Sequence, residues 1–177
     1  SLNFIFNTYD GSSSFVDVVA EAKEQGLTEP DPKIDLSGLD VRRKILILAR
    51  EAGYIKELSD VNFDSFLPDG SMETPDTESF LQFLSENEQF FLKLYSEAEK
   101  AGNSLKVIAE LNEGNMKVGL EAVSADSPFA NIGGKDNIVA LYTDRYKDEP
   151  LIIKGAGAGA EVTASGVFSD LIYIVNR

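Results

Sequence analysis

Four acids and four bases fall within the sixteen residues from Glu29 to Lys44, EPDPKIDLSGLDVRRK. Glu29, Asp31, Asp35 and Asp40 supply carboxylates. Lys44 supplies an ammonium group that can stabilise and protonate a developing oxyanion. Pro30 and Pro32 fix their own φ and push the residues before them to extended geometry, so Glu29 and Asp31 stand on a stiff, non-helical lead-in. Asp35 precedes Leu36 as N-cap or first-turn acid of a helix. Asp40 and Lys44 are four apart and share one face of that helix. Two readings fit this spacing. One is an i,i+4 surface ion pair worth about 0.3–0.5 kcal/mol. The other is a polar site in which carboxylates from a rigid turn and a lysine from a helix converge on one small molecule. The spacing alone leaves both open.

The chain that must position these groups has 177 residues, enough for one domain with a real core. It has no Cys, His or Trp. Disulfides, thiolate nucleophiles, Cys/His zinc sites and Ser-His-Asp triads are therefore excluded, and no metal site is expected. Acid–base chemistry falls to Asp, Glu, Lys and Tyr. The net charge of −14 disfavours a nucleic-acid partner, which needs clustered Lys and Arg. No apolar run approaches the length of a membrane span and no signal-peptide pattern opens the sequence. A soluble cytoplasmic protein is the expectation.

The first residues, SLNFIFNTYDG, begin inside an apolar pattern without an initiator Met, as expected of a segment of a longer protein. Ser12–Gln25 reads as a helix, with Phe15, Val18, Val19 and Ala22 at helical spacing and Gly26 as its stop. Leu36–Ala52 reads as a second, with Leu39, Ile45, Leu46, Leu48 and Ala49 mostly inward and Asp40 and Lys44 bordering the buried side. Val61–Phe66 alternates as a short strand, and Leu67–Pro75 is a loop. Asp76–Gly102 is helical in two segments with a break near Ser85–Asn87; its aromatic-rich face is core. The period then changes to two. Leu105–Leu111 and Met116–Val123 flank the turn Asn112–Asn115 as a hairpin. Pro128–Gly134 is a turn-rich connection. Asn137–Thr143 and Leu151–Lys154 are strands around the polar turn Asp144–Pro150. Helices before strands predict an α+β fold, with a largely antiparallel or mixed sheet covered by helices.

Gly155, Gly157 and Ala160 fit G-x-G-x-x-[GA] between a strand and the predicted helix Val162–Val175. Glycines there let a backbone approach a phosphate or nicotinamide closely, and the helix start offers unpaired N–H groups. A dinucleotide fold also needs a following strand and an acid about 20 residues on. Seventeen residues remain, so this is not a complete Rossmann unit. The residues alone favour a glycine hinge that lets the last helix pack tightly.

GLTEPDPKIDLSGLDVRRKILILARE, from Gly26 to Glu51, resembles the signature of the homoserine dehydrogenase family. Leu27 departs from the usual aromatic, at a position whose backbone matters more than its side chain, and Ile34 replaces a residue that is often acidic. GAGAGAEVTASGVFSDLI resembles the family's C-terminal segment, which closes over the cofactor site. The likeness covers essentially the whole chain, residues 1–177, as the family's substrate-binding, catalytic and dimerisation domain.

The resemblance implies reduction of L-aspartate 4-semialdehyde to L-homoserine with NADPH or NADH, a step toward threonine and methionine. It implies that Glu29 binds the substrate ammonium, that Asp35 lies near the substrate hydroxyl, that Asp40 is needed for activity and that Lys44 is the proton donor. It places Ser1 where the family has a threonine facing the substrate carboxylate, and Leu27 beside the substrate. It assigns Gly155, Gly157, Gly159, Ala160 and Glu161 to the cofactor. NADP or NAD would be held mainly by a nucleotide-binding domain that this chain lacks, as would a monovalent-cation site and a second catalytic lysine. The isolated chain is thus expected to be inactive. A homodimer is implied, and an upstream aspartokinase in a bifunctional arrangement. The competing reading is a non-catalytic amino-acid-binding or dimerisation module that retains the motif.

Overall fold

The computed structural model describes residues 1–133, 136–157 and 159–176. The turn-rich connection is therefore followed only to Gly133, and Ala158 of the glycine run lies outside the described residues. The chain forms two compact units, Ser1–Ala130 and Asn131–Arg177.

The first unit opens with α1 (Leu2–Thr8) and α2 (Phe15–Glu24). Ser14 caps α2, its side chain accepting from the Asp17 N–H. Two short helices follow, α3 (Pro32–Leu36) and α4 (Leu39–Glu51). The single helix expected over Leu36–Ala52 is thus two, because Gly38 takes the left-handed conformation at φ 68° and ends α3 before α4 starts. Its missing Cβ matters as well: one would come within 2.7 Å of the Phe63 ring. Leu48, expected inward, is exposed. After β1 (Val61–Phe63) a 3₁₀ turn at Ser71–Glu73 interrupts the predicted loop. The long helical stretch is α5 (Thr77–Glu86) and α6 (Glu88–Lys100), parted at Asn87 as the sequence predicts.

The period-two stretch forms β2 (Asn103–Asn112) and β3 (Asn115–Ser124), an antiparallel pair in register from Asn103↔Ser124 to Asn112↔Asn115. Glu113 and Gly114 both have positive φ, 48° and 81°, the backbone of a two-residue hairpin turn whose twist matches the strands. β1 adds to β3 in parallel, giving the order β1-β3-β2. β1 is shorter than the expected Val61–Phe66. Leu105, Val107 and Leu120 present one face of this sheet to a core built from Leu2, Ile5, Phe6, Phe15, Leu36, Phe80, Leu84 and Phe91. Phe15 stacks flat on Phe91 with centroids 3.8 Å apart, and Phe6 meets Phe66 edge-on. A second cluster joins Ile45, Leu46 and Ala49 of α4 to Val61, Met116 and Val118. That contact fixes α4, and with it Asp40 and Lys44, on the sheet.

The second unit holds the antiparallel pair β4 (Asp136–Leu141) and β5 (Leu151–Ala156), then α7 (Ala160–Val175). Thr143 and Tyr146 exchange backbone hydrogen bonds in the connecting turn. No residue of α7 is buried, although Val167, Phe168, Leu171, Ile172, Tyr173, Ile174 and Val175 crowd its second half. A helix apolar on every side is one that other surfaces normally cover. Among the described residues no helix is long and apolar enough to cross a membrane. The architecture is α+β with small antiparallel and mixed sheets, and no Rossmann domain is evident among the described residues.

Candidate functional site

The acid-rich stretch folds as a capped turn followed by two helices. Asp31 is the N-cap of α3: its side chain accepts from the Lys33 N–H at 3.0 Å, and Pro32 occupies the first helical position, where an N–H is not needed. Lys33 reaches the other way, its Nζ donating to the Thr74 carbonyl at 2.5 Å and to Thr74 Oγ1 at 3.2 Å. This ties α3 to the 3₁₀ turn. Asp35 is not the cap of a long helix. It is instead a first-turn acid, of the short helix α3, where its Oδ2 accepts the Glu29 N–H at 2.8 Å. That bond closes the turn from Glu29 to Asp35 and holds the Glu29 backbone against the Asp35 carboxylate.

Gly38 redirects the chain, and α4 then presents Asp40 in its first turn and Lys44 one turn on. Their side chains meet at 2.8 Å between Lys44 Nζ and Asp40 Oδ2. They are 56% and 71% exposed, more open than the border position the sequence predicts. Between them on the helix, the Arg42 guanidinium lies 5.3 Å from the centre of the Phe63 ring, and its Nε is buried without a hydrogen-bond partner.

Ser1 joins this group. Asp35, Lys44 and Asp40 all act electrostatically on the backbone nitrogen of Ser1. The start of α1 therefore lies within electrostatic reach of all three. Ser1, Glu29, Asp35, Asp40 and Lys44 gather in one unit from three stretches of sequence. Leu27, two residues before Glu29, is half-buried, its N–H donating to the Ala22 carbonyl at 2.9 Å. A cleft of about 360 Å³ opens elsewhere in the same unit, lined by Phe66, Leu94, Ala98, Leu105 and Leu120. None of the five gathered residues lines it.

The glycine run lies in the second unit. Gly155 is in β5, Gly157 follows the strand, and Gly159 is the N-cap of α7 at φ 142° and ψ 151°, a conformation open to glycine alone. Ala160 and Glu161 form the first turn of α7, and the first intrahelical bond there is Thr163 N–H to the Gly159 carbonyl. The amides of Ala160 and Glu161 thus have no helical partner. A side chain on Gly157 would collide with the Asn137 amide. The bare backbone and free amides fit one end of a nicotinamide cofactor, while the Glu161 carboxylate disfavours a pyrophosphate at the same spot.

Lys106 is a buried charge that the sequence did not signal. It is 4% exposed in the middle of β2, and its Nζ donates to Asn7 Oδ1. A lysine at alternating strand spacing reads as a solvent-facing residue, so only the packing reveals it.

Residues 1–172 match the family model for homoserine dehydrogenase. This chain belongs to that family. It is 45% identical to the chloroplastic bifunctional aspartokinase/homoserine dehydrogenase 2 of Zea mays, over 99% of this chain and 19% of that one. It is 40% identical to a homoserine dehydrogenase of Schizosaccharomyces pombe, over 100% of this chain and 49% of that one. Among solved structures, a Candida auris protein of unknown function superposes with a TM-score of 0.89 at 38% identity, covering 99% of this chain and 51% of the other. The homoserine dehydrogenase of Staphylococcus aureus shares the fold, with a TM-score of 0.71 at 23% identity over 98% of this chain and 40% of the other. The chain spans about one fifth of the bifunctional relatives and about half of the S. pombe relative.

Proposed function

We propose that residues 1–177 are the substrate-binding and catalytic domain of a homoserine dehydrogenase, which reduces L-aspartate 4-semialdehyde to L-homoserine in the synthesis of threonine and methionine. The observation that carries this reading is the gathering of Ser1, Asp35, Asp40 and Lys44 around the Glu29 turn. Glu29 binds the substrate ammonium, and Asp35, fixed by the Glu29 N–H, faces the hydroxyl. Ser1 lies toward the substrate carboxylate, and the Leu27 backbone lines the rim. Lys44 stabilises the oxygen charge that builds at the aldehyde and delivers the proton from Nζ. Asp40, at 2.8 Å, aims that ammonium. NADPH or NADH supplies the hydride when bound. Gly155, Gly157, Gly159, Ala160 and Glu161 would meet one end of it, with the rest held by a domain outside this chain. The functional unit is a cytoplasmic homodimer, and this chain alone does not turn over.

The exposed 2.8 Å contact between Asp40 and Lys44 also supports the second reading, a retained amino-acid-binding or dimerisation module whose lysine does no chemistry. The two separate on one measurement: homoserine oxidation by the full-length parent, with NADP and with NAD, against its Lys44→Ala variant. Loss of at least about 10³-fold in kcat in a folded variant supports the dehydrogenase reading. An inactive parent, or a variant with near-normal rates, overturns it.

A further inference from the structure

We propose that Lys33 is a positioning residue for the substrate site, holding the Asp35 carboxylate and the Glu29 turn in place from the opposite flank of α3. The proposal rests on the dehydrogenase reading above. Helix α3 has five residues, too few to keep a helical shape by themselves in water. Its buried residues are Pro32 and Leu36. These lie four apart and share one line along the helix. They set its depth in the core and leave open a roll about that line. The helical repeat puts Lys33 about 80° to one side of the line and Asp35 about 80° to the other. Ile34 then falls opposite the line, and it is 53% exposed as that placing requires.

Both flanks are tied, but to different things. On one, Asp35 Oδ2 accepts the Glu29 N–H at 2.8 Å. That bond closes the turn on itself: it fixes Asp35 and Glu29 to each other. On the other, Lys33 Nζ donates to the Thr74 carbonyl at 2.5 Å and to Thr74 Oγ1 at 3.2 Å, 41 residues away. The same ammonium lies 5.8 Å from the centre of the Phe80 ring, which is fully buried. Thr74 is itself seated. Its Oγ1 donates to the Ser71 carbonyl at 2.8 Å, and Ser71 is 1% exposed with its N–H bonded to the Pro68 carbonyl. Lys33 therefore ties the turn to a fixed part of the unit. Without it α3 rolls, carrying Asp35 off the substrate hydroxyl and Glu29 off the substrate ammonium. Asp40 and Lys44 stay, because α4 packs separately on Val61, Met116 and Val118 beyond the break at Gly38. Lys33 thus serves binding of the amino acid rather than proton delivery.

The test uses the full-length parent with Lys33→Met, Lys33→Arg, Thr74→Val and the Lys33→Met/Thr74→Val pair. Lys33→Met keeps the length of the side chain over Phe80 and removes its donors. It is expected to raise KM for homoserine about tenfold, with kcat and KM for the nicotinamide cofactor changed far less. Thr74→Val removes Oγ1 and leaves the carbonyl, so a rise of about threefold is expected, with no further rise in the pair. Lys33→Arg should restore most of the affinity. Amide exchange at Glu29, whose N–H is bonded to Asp35, should quicken in Lys33→Met and stay unchanged across α4. A lower melting temperature with KM unchanged marks a purely structural bond and overturns the proposal, as do effects that multiply in the pair. If Lys33→Met does not fold, Thr74→Val decides by the same KM criterion. If the parent does not oxidise homoserine, the dehydrogenase reading has failed on its own. Exchange at Glu29 then decides this link: faster exchange in Lys33→Met keeps it and unchanged exchange removes it.

Discussion

The Tyr9 hydroxyl donates a 2.7 Å hydrogen bond to Oε1 of Glu88, whose other oxygen accepts the Phe15 N–H at 2.9 Å. One carboxylate at the start of α6 thus joins the end of α1 to the start of α2. Tyr9 is only 3% exposed, and burial first, then the bond to Glu88, raises its hydroxyl far above the ordinary value. Tyr9→Phe keeps the ring and removes the donor. It is expected to cost about 1–2 kcal/mol, because a half-buried carboxylate loses a partner. Thermal or urea unfolding of both forms measures it, and a change within error would show that water replaces the hydroxyl freely.

Gly38→Ala should be costly for two separable reasons. Its backbone is left-handed, and the new Cβ would come within 2.7 Å of the Phe63 ring. Strain alone is expected to cost about 1–2 kcal/mol. The clash adds to that and moves α4 relative to α3, so homoserine oxidation by the parent should fall with stability. Adding Phe63→Ala to Gly38→Ala removes the clash and leaves the strain. Unfolding midpoints of the pair should then lie above the sum of the single effects, and strict additivity would rule the clash out.

Asp76 caps α5, its Oδ1 accepting the Ser79 N–H at 2.8 Å. That backbone bond, helped by the Ser79 side chain, lowers its pKa below the ordinary 3.8. A depressed carboxylate stabilises the fold at pH values above its unfolded pKa, and the gain disappears as pH falls through the lowered folded value. Asp76→Ala should therefore melt below the parent at neutral pH, and the gap should close as the pH falls below 3.8. A gap that stays constant through acid would mean the carboxylate charge plays no part in the cap.

The sequence revealed what local pattern controls. The alternation around Asn112–Asn115 marked the β2–β3 hairpin, and the polar break at Asn87 parted α5 from α6. It did not reveal α1, whose apolar residues Leu2, Phe4, Ile5 and Phe6 are too few and too close for a period to show. It did not divide α3 from α4, because one glycine in a helical pattern looks tolerable until Phe63 is found beside it. The parallel pairing of β1 with β3 spans more than fifty residues and leaves no local trace. The site was half visible. Spacing placed Asp40 and Lys44 on one face, but the Asp35 bond to Glu29 follows from the turn into α3 and the nearness of Ser1 from the packing of α1. Lys106 left no signal, since its burial comes from elements distant in sequence.

The bare flank of α7 has a colloidal consequence. Helix α7 is apolar and has no buried residue, in a chain that is strongly acidic. In dilute buffer the net charge of −14 keeps copies apart. At about 1 M salt the screening length falls to roughly 3 Å, and that repulsion no longer reaches between neighbours. The apolar helices then find one another, so added salt, like acid that neutralises the carboxylates, is expected to turn a clear solution of this chain cloudy.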